Sequence, residues 1–318
     1  MRGVLRDMPA RLPADCLLAR ICARRSFLVH DWNRLLLARQ PLDALPSAPW
    51  RQKTTGNHGW ALHALQQEYF WAFSRMDEQL RRSTSTFFWL AELRTLSTCL
   101  RLLSKAATDL NPLLNNSLLA NSIRGVLLKA NSPAEAVTGL TAVLSAYDSR
   151  FNIIGEAWRT GGYGAFESAL YDITLTKVCD PNIHPDMRSC MELMIDSRNL
   201  TALAKHLRWR LRSLPHLLKG GVISLPRLEK IFERLDNAAL LNLAMRLGGE
   251  AQYNETADLE RVLYEAQDRV MHRLARQVDA VGAILDYLWR CSNEAANISL
   301  LEHMEIAGSE LATAELRQ

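Results

Sequence analysis

The sequence predicts an all-α protein built from three related helical units. Three observations predict it. Apolar residues recur at steps of three and four along most of the chain. No run of alternating apolar and polar β-branched residues reads as a strand; the few Val and Ile fall within helical stripes. A short pattern, an acid followed three residues later by Asn or Thr and then an apolar residue, occurs three times: Glu92-Leu93-Arg94-Thr95-Leu96, Asp196-Ser197-Arg198-Asn199-Leu200 and Glu294-Ala295-Ala296-Asn297-Ile298.

Residues 1–13 carry three Arg and two Pro and form a lead-in. From Asp15 to about Gln40, Leu17, Ile21, Phe27, Leu28, Trp32 and Leu35 predict one long amphipathic helix, ended by Pro41, Pro46 and Pro49. Thr54 to Gly59 is a loop, and Trp60 to Leu80 is an aromatic-rich helix. Ser83–Thr86 is read as a hinge or cap, after which Glu92 opens a stripe through Leu96, Leu100, Leu103 and Ala107. Asn111-Pro112 breaks it, and a short helix runs through Leu119, Ile123 and Leu127.

Ser132-Pro133-Ala134-Glu135 is a helix start, with Ser as cap, Pro at the first helical position and Glu three residues on. Gly161-Gly162-Tyr163-Gly164 is the plainest flexible point, with helix from Phe166 to Val178. Asp180-Pro181 and His184-Pro185 mark a further break. Asp196 is expected to open the next helix, with Leu200, Leu203, Leu207 and Leu211 on one face and Pro215 and Gly220-Gly221 as its stop. A second amphipathic segment carries Leu228, Ile231, Phe232 and Leu235. After Gly248-Gly249, Leu259, Leu263, Ala266, Val270, Leu274, Val278, Val281, Leu285 and Leu288 predict one helix of about thirty residues.

The three acids stand 104 and 98 residues apart, and Tyr69, Tyr171 and Tyr264 precede them at similar spacing. The period is too long for a short-repeat solenoid and points to a triplicated domain. Approximate repeats are 60–160, 161–255 and 256–318, the last completed by N-terminal helices at 14–59.

Composition narrows the function classes. Hydrophobic residues are 48% and charged residues 23% of 318, the range of a folded globular chain. A net charge of +4 does not by itself argue for nucleic acid. Six scattered cysteines without C-x-x-C spacing read as reduced thiols of an intracellular protein. No apolar run reaches the roughly 18–20 residues of a bilayer span. Arg20, Arg24 and Arg25 interrupt the N-terminal apolar residues, which argues against a signal peptide. The chain has no G-x-x-x-x-G-K-[ST], no G-x-G-x-x-G, no H-E-x-x-H, no paired Asp and no G-x-S-x-G. No catalytic, cofactor-binding or metal-binding residue is therefore assigned.

Two features remain. The repeated acids Glu92, Asp196 and Glu294, with Thr95, Asn199 and Asn297, are read as structural: Asp196 caps a helix, and the two Glu, poorer caps, pair instead with a basic residue of a neighbouring repeat. The stretch from Arg198 to Lys219 holds six Lys or Arg and no acid. Lys205, Arg208 and Arg212 are its candidate docking residues for an acidic partner.

These residues resemble a family. Asp196-x-x-Asn199-Leu200, the basic helix, and Leu217-Leu218-Lys219-Gly220-Gly221-Val222-Ile223-Ser224 are similar to the signature of the V/A-type ATPase family of C-type central-stalk proteins, whose vacuolar counterpart is the d-type protein. Ile284-Leu285-Asp286-Tyr287-Leu288 with Glu294 and Asn297-Ile298 resembles the family's closing motif, and Ala19-Arg20-Ile21 its opening helix. The likeness is strongest over 190–235 and 284–301. It implies a funnel of three helical domains about a pseudo-threefold axis. The funnel would be a non-catalytic central-stalk component that couples the axle to the membrane rotor ring for proton or sodium transport. It would lie on the cytoplasmic face, with no membrane span of its own, and bind neither nucleotide nor nucleic acid. Two other readings stand beside this one: a helical scaffold or adaptor, RNA-associated through the basic helix, and an all-α enzyme with an unrecognised site.

Overall fold

The apolar stripes become helices throughout a computed structural model that describes residues 3–9, 11–36, 42–45, 60–105, 109–248, 259–277 and 279–307. Among these residues no strand forms; one isolated antiparallel bridge joins Leu5 to Leu119. Two compact units are present: residues 1–17 with 66–180, and residues 18–65 with 181–318.

The helices in chain order are α1 (Ala14–Arg25), α2 (Trp32–Leu36), α3 (Trp60–Arg75), α4 (Glu78–Leu103), α5 (Asn111–Asn115), α6 (Asn121–Lys129), α7 (Pro133–Tyr147), α8 (Ile154–Leu175), α9 (Pro185–Arg208), α10 (Leu225–Arg234), α11 (Asn237–Gly248), α12 (Leu259–Ala275) and α13 (Ala280–Ala307).

In the first unit α4 is the central helix. Asp77 caps it by accepting the Leu80 N–H at 2.8 Å, so the aromatic helix α3 ends at Arg75 rather than running to Leu80. Ser83–Thr86 is therefore helix interior, not a hinge; the Thr84 hydroxyl donates back to the Leu80 carbonyl at 2.7 Å. Phe88, Trp89, Leu93, Leu96 and Leu100 are fully buried along α4. The Trp89 indole N–H reaches Thr174 Oγ1 of α8 at 2.9 Å. The α7 start is as the sequence predicts, with the Ser132 hydroxyl accepting the Glu135 N–H at 3.2 Å. Helix α8 begins earlier than Phe166 and bends at Gly162, whose φ of 61° is available to glycine at little cost. Tyr163 just past the bend donates its hydroxyl to Leu100 O at 3.0 Å.

In the second unit, α9 supplies Leu200, Leu203 and Leu207 to a core shared with Leu228, Ile231 and Phe232 of α10, Leu240 and Leu243 of α11 and Val262 and Leu263 of α12. His184 caps α9 and Pro185 takes its first position, so the helix begins well ahead of Asp196, at the point where the sequence suggests only a break. The helix stops at Arg208, well before Pro215 and Gly220-Gly221, and Leu211 is exposed. Trp209, Arg210 and Leu211 close it instead. The Arg210 N–H bonds to Leu207 O and the Leu211 N–H to His206 O, with Arg210 at φ 52°. That is the Schellman closure, which needs one left-handed residue and no downstream proline.

Two further expectations are corrected. The helix expected over 15–40 is two helices, α1 and α2, separated by a turn in which Phe27 and Leu28 donate to Arg24 O and Arg25 O. The helix expected over 259–288 is also two, α12 and α13, with Asp279 capping α13 by accepting the Val281 N–H at 3.0 Å. They pack side by side, and Tyr264 stacks on Trp289. A hairpin of two helices keeps the same apolar stripe as one straight helix, so periodicity does not separate them. Pro41, Pro46, Pro49, Thr54–Gly59, Ala107, Gly249 and Val278 lie outside the described residues.

Candidate functional site

None of the three repeated acids begins a helix. Glu92 sits in the middle of α4, Asp196 in α9 and Glu294 in α13, and all three are buried. The capping role expected of Asp196 is thus overturned. At mid-helix each backbone N–H is already bonded to the preceding turn, so the carboxylate has to look elsewhere.

Each reaches a backbone N–H outside the helices. Glu92 Oε1 accepts the Leu118 N–H at 2.6 Å, and its Oε2 accepts the Ser117 hydroxyl at 2.8 Å. Asp196 Oδ2 accepts the Val222 N–H at 2.9 Å, and its Oδ1 accepts the Ile223 N–H at 3.2 Å. Glu294 Oε2 accepts the Val29 N–H at 3.3 Å. Leu118, Val222 and Val29 each stand three residues ahead of a helix, α6, α10 and α2 respectively. The local plan is therefore the same three times: a long helix, a buried acid at its middle, and a peptide N–H at the entrance of a shorter helix. In the first two cases the entrance follows the acid in sequence, while for Glu294 it comes from the N-terminal part of the chain.

The residue three positions after each acid extends this. Asn199 is buried and grips Leu218 twice: its Oδ1 accepts the Leu218 N–H at 2.8 Å and its Nδ2 donates to Leu218 O at 2.9 Å. Thr95 has no amide to repeat this; its Oγ1 accepts from Gln66 Nε2 at 3.2 Å. Asn297 is buried at the corresponding place on α13.

Gly220 and Gly221 serve this site rather than the end of α9. Gly220 takes φ 102°, and a Cβ on Gly221 would overlap the Asp196 carboxylate and press on Ile195 Cγ2. The backbone can approach the acid only because position 221 has no side chain.

Electrostatics follow from burial. Desolvation pushes the Glu92 carboxyl up from the ordinary range, against the downward pull of Leu118, Ser117, Thr95 and Arg6. Desolvation also raises Asp196 from 3.8 to about 6, opposed by the Ile223 and Val222 N–H groups and assisted by Glu192. A carboxyl whose folded value is raised binds its proton more tightly in the folded chain than in the unfolded one. Its contribution to stability is therefore largest below the unfolded value and is lost as pH rises through the folded value. Between pH 3.8 and about 6, stability is expected to rise as pH falls, insofar as it depends on Asp196. Urea unfolding of the wild type and of Asp196→Asn across that window measures it; the variant should show a flatter pH response.

Sequence reasoning missed Asp286. It is fully buried on α13, and Arg25 Nη2 of α1 reaches its Oδ2 at 2.9 Å while Arg290 Nε reaches its Oδ1 at 3.1 Å. The only signal was an acid inside an apolar stripe, Ile284-Leu285-Asp286-Tyr287-Leu288. Arg25 and Val29 together fasten the N-terminal segment of this unit onto α13. Asp186, in the first turn of α9, and Glu302 of α13 are buried as well.

Among the described residues, His184, Asp186 and Asp279 form a group with metal-ligand spacing. Its bonds are those of two helix starts. The Asp186 N–H donates to His184 Nδ1 at 3.3 Å, which leaves the proton on Nε2, 2.7 Å from Asp279 Oδ2. A groove on the first unit is lined by Arg6, Arg81, Arg82, Asn121 and Tyr147 and has no histidine.

The candidate docking residues Lys205, Arg208 and Arg212 are exposed at the C-terminal end of α9 and in the turn after it. Trp209 lies among them with 64% of its surface exposed. No family model and no curated protein matches the chain significantly. No helix among the described residues is long and apolar enough to cross a membrane.

Proposed function

We propose that this chain is a non-catalytic central-stalk component of a V/A-type ion-translocating ATPase, coupling the central axle to the membrane rotor ring. The observation that carries the reading is the threefold recurrence of one buried device, a mid-helix acid holding the peptide three residues ahead of a shorter helix. In the third instance the held peptide is Val29, which supports a last copy completed by the N-terminal helices. Cyclic completion is what a closed funnel of three repeats requires. It also agrees with the motifs by which the sequence resembles the C-type central-stalk family.

A coupling part has to be stiff, since any compliance in it is lost rotation. Carboxylates that bond backbone N–H groups across helices supply stiffness without side-chain flexibility. The coupling needs no chemistry in this component, no nucleotide and no cofactor. The protein would be held on the cytoplasmic face of the membrane through the ring, with Lys205, Arg208 and Arg212 meeting polar loops of the ring or an acidic end of the axle.

The test is co-purification of the tagged full-length chain from its own cells. Axle and ring proteins are expected in stoichiometric amounts, and their absence would overturn the reading. Arg208→Glu/Arg212→Glu is expected to lower recovery of one of these partners at least tenfold, since two charge reversals at a complementary contact act on both attraction and register. Unchanged recovery would remove the docking role. The adaptor reading draws on the same basic turn with its exposed Trp209; a salt-sensitive shift with RNA, and no co-purifying rotor proteins, would favour it.

A further inference from the structure

The turn that closes α9 carries, among the basic residues given a docking role above, large apolar side chains that this role does not use. Arg208, Arg210 and Arg212 alternate with Trp209 and Leu211, and Leu214 follows Ser213. Trp209 is 64% exposed, Leu211 41% and Leu214 42%. Large apolar side chains held in water are unfavourable unless something covers them.

The turn is built to hold them there. The Trp209 N–H bonds to Lys205 O, the Arg210 N–H to Leu207 O and the Leu211 N–H to His206 O, so the backbone stays anchored to the last turn of α9. His206 Nδ1 donates to Ser213 O at 2.9 Å and pins the returning limb of the turn. Arg210 occupies the left-handed position of the closure, where glycine is the undemanding residue, and so presents a cationic side chain at some backbone cost.

We infer that this tip docks on an anionic membrane surface. Between Asp196 and Glu229 the chain has no acid at all, so nothing on this stretch repels a negatively charged headgroup layer. The side chains match that layer's structure. A Trp and two Leu enter the boundary between headgroups and acyl chains, where an indole with its N–H at the polar edge is well placed. Arg208, Arg210, Arg212 and Lys205 stay at phosphate depth, their apolar stems lying alongside the inserted residues. An acidic protein surface would satisfy the cations, but it would leave three separate exposed apolar side chains on one short turn to be matched by as many pockets.

This inference does not rest on the coupling role. Vesicle binding and recovery of rotor proteins are separate readouts, so either can fail alone.

The experiment is flotation of the full-length chain with vesicles of phosphatidylcholine containing phosphatidylglycerol, against vesicles of phosphatidylcholine alone. Binding is expected only with the anionic lipid, falling steeply with salt. Trp209→Ser/Leu211→Ser and Arg208→Glu/Arg212→Glu should each reduce partition about tenfold or more. Lys219→Glu/Arg227→Glu changes net charge equally but lies off the tip, and it should float nearly as wild type. The emission difference between wild type and Trp209→Phe should shift to the blue on adding anionic vesicles. The inference is overturned by absence of flotation with anionic vesicles, which would leave an acidic protein as the partner of the tip. Loss in the Lys219/Arg227 variant equal to that in the tip variants, or wild-type flotation of both tip variants, would also overturn it.

Discussion

Glu92→Ala is expected to lower the unfolding free energy by about 4 kcal/mol, the largest loss among single changes at the three acids. Leu118 and Ser117 are buried to within a few per cent of their surface. Removing the carboxylate leaves the Leu118 N–H without its 2.6 Å acceptor and the Ser117 hydroxyl without its 2.8 Å acceptor. An unmet buried donor costs about 1–3 kcal/mol, and the missing side-chain atoms add a cavity. The effect should spread, because Ser117 Oγ also accepts the Leu119 N–H at 3.1 Å and the adjoining Leu118 O and Ala120 N–H pair with the N-terminal residues 4–6.

Glu92→Gln separates shape from charge. It keeps one oxygen to accept from Leu118, and it removes a charge that burial makes costly to hold. It should recover more than half of the loss. Urea unfolding of the three proteins measures this. A loss below about 1 kcal/mol for the Ala variant would show that water replaces the carboxylate and that the bonds to 117–118 are not what holds the segment.

Gly221→Ala is expected to cost about 2–4 kcal/mol, large for adding one methyl group in a loop. The new Cβ would meet the Asp196 carboxylate, itself held by the Val222 and Ile223 N–H groups, and Ile195 Cγ2 at 3.1 Å. Neither neighbour is the free end of a flexible side chain. Asp196→Ala creates the missing space, so the double variant should be more stable than the sum of the two single losses, with a coupling of about 1–3 kcal/mol. Strict additivity would mean that the methyl is accommodated by a shift of the loop, not resisted by Asp196. Gly220→Ala is a different case, since its φ of 102° strains any L side chain whatever the space.

These expectations bear on the coupling proposal through mechanics. If the bonds made by Glu92 and Asp196 stiffen the chain around them, weakening one should loosen hydrogen-exchange protection in the short helix that follows the held peptide, α6 for Glu92 and α10 for Asp196, before the rest of the unit opens.

The elements that could be read from the chain were those whose physics is local. Leu200, Leu203 and Leu207 mark one face of α9 because a helix turns once every 3.6 residues whatever surrounds it. Ser132-Pro133 marks a helix start because capping needs only neighbours in sequence. The triple spacing of acid and Asn or Thr could be seen, but not its meaning, since a carboxylate at mid-helix and one at a helix start look alike in a string of letters.

The sequence by itself determined the helical class, most of the stripes and which six residues recur: Glu92, Thr95, Asp196, Asn199, Glu294 and Asn297. Only the tertiary structure decided what the acids hold. Leu118 and Val222 lie some twenty-six residues beyond their acids, and Val29 lies at the other end of the chain from Glu294. It also decided that α12 and α13 are a hairpin and that the turn after Arg208 stands out in water. The reason is common to all of these. Apolar periodicity encodes which face of a helix is buried, whereas the partner of a buried polar group is set by where the chain returns, and that is a property of the folded whole.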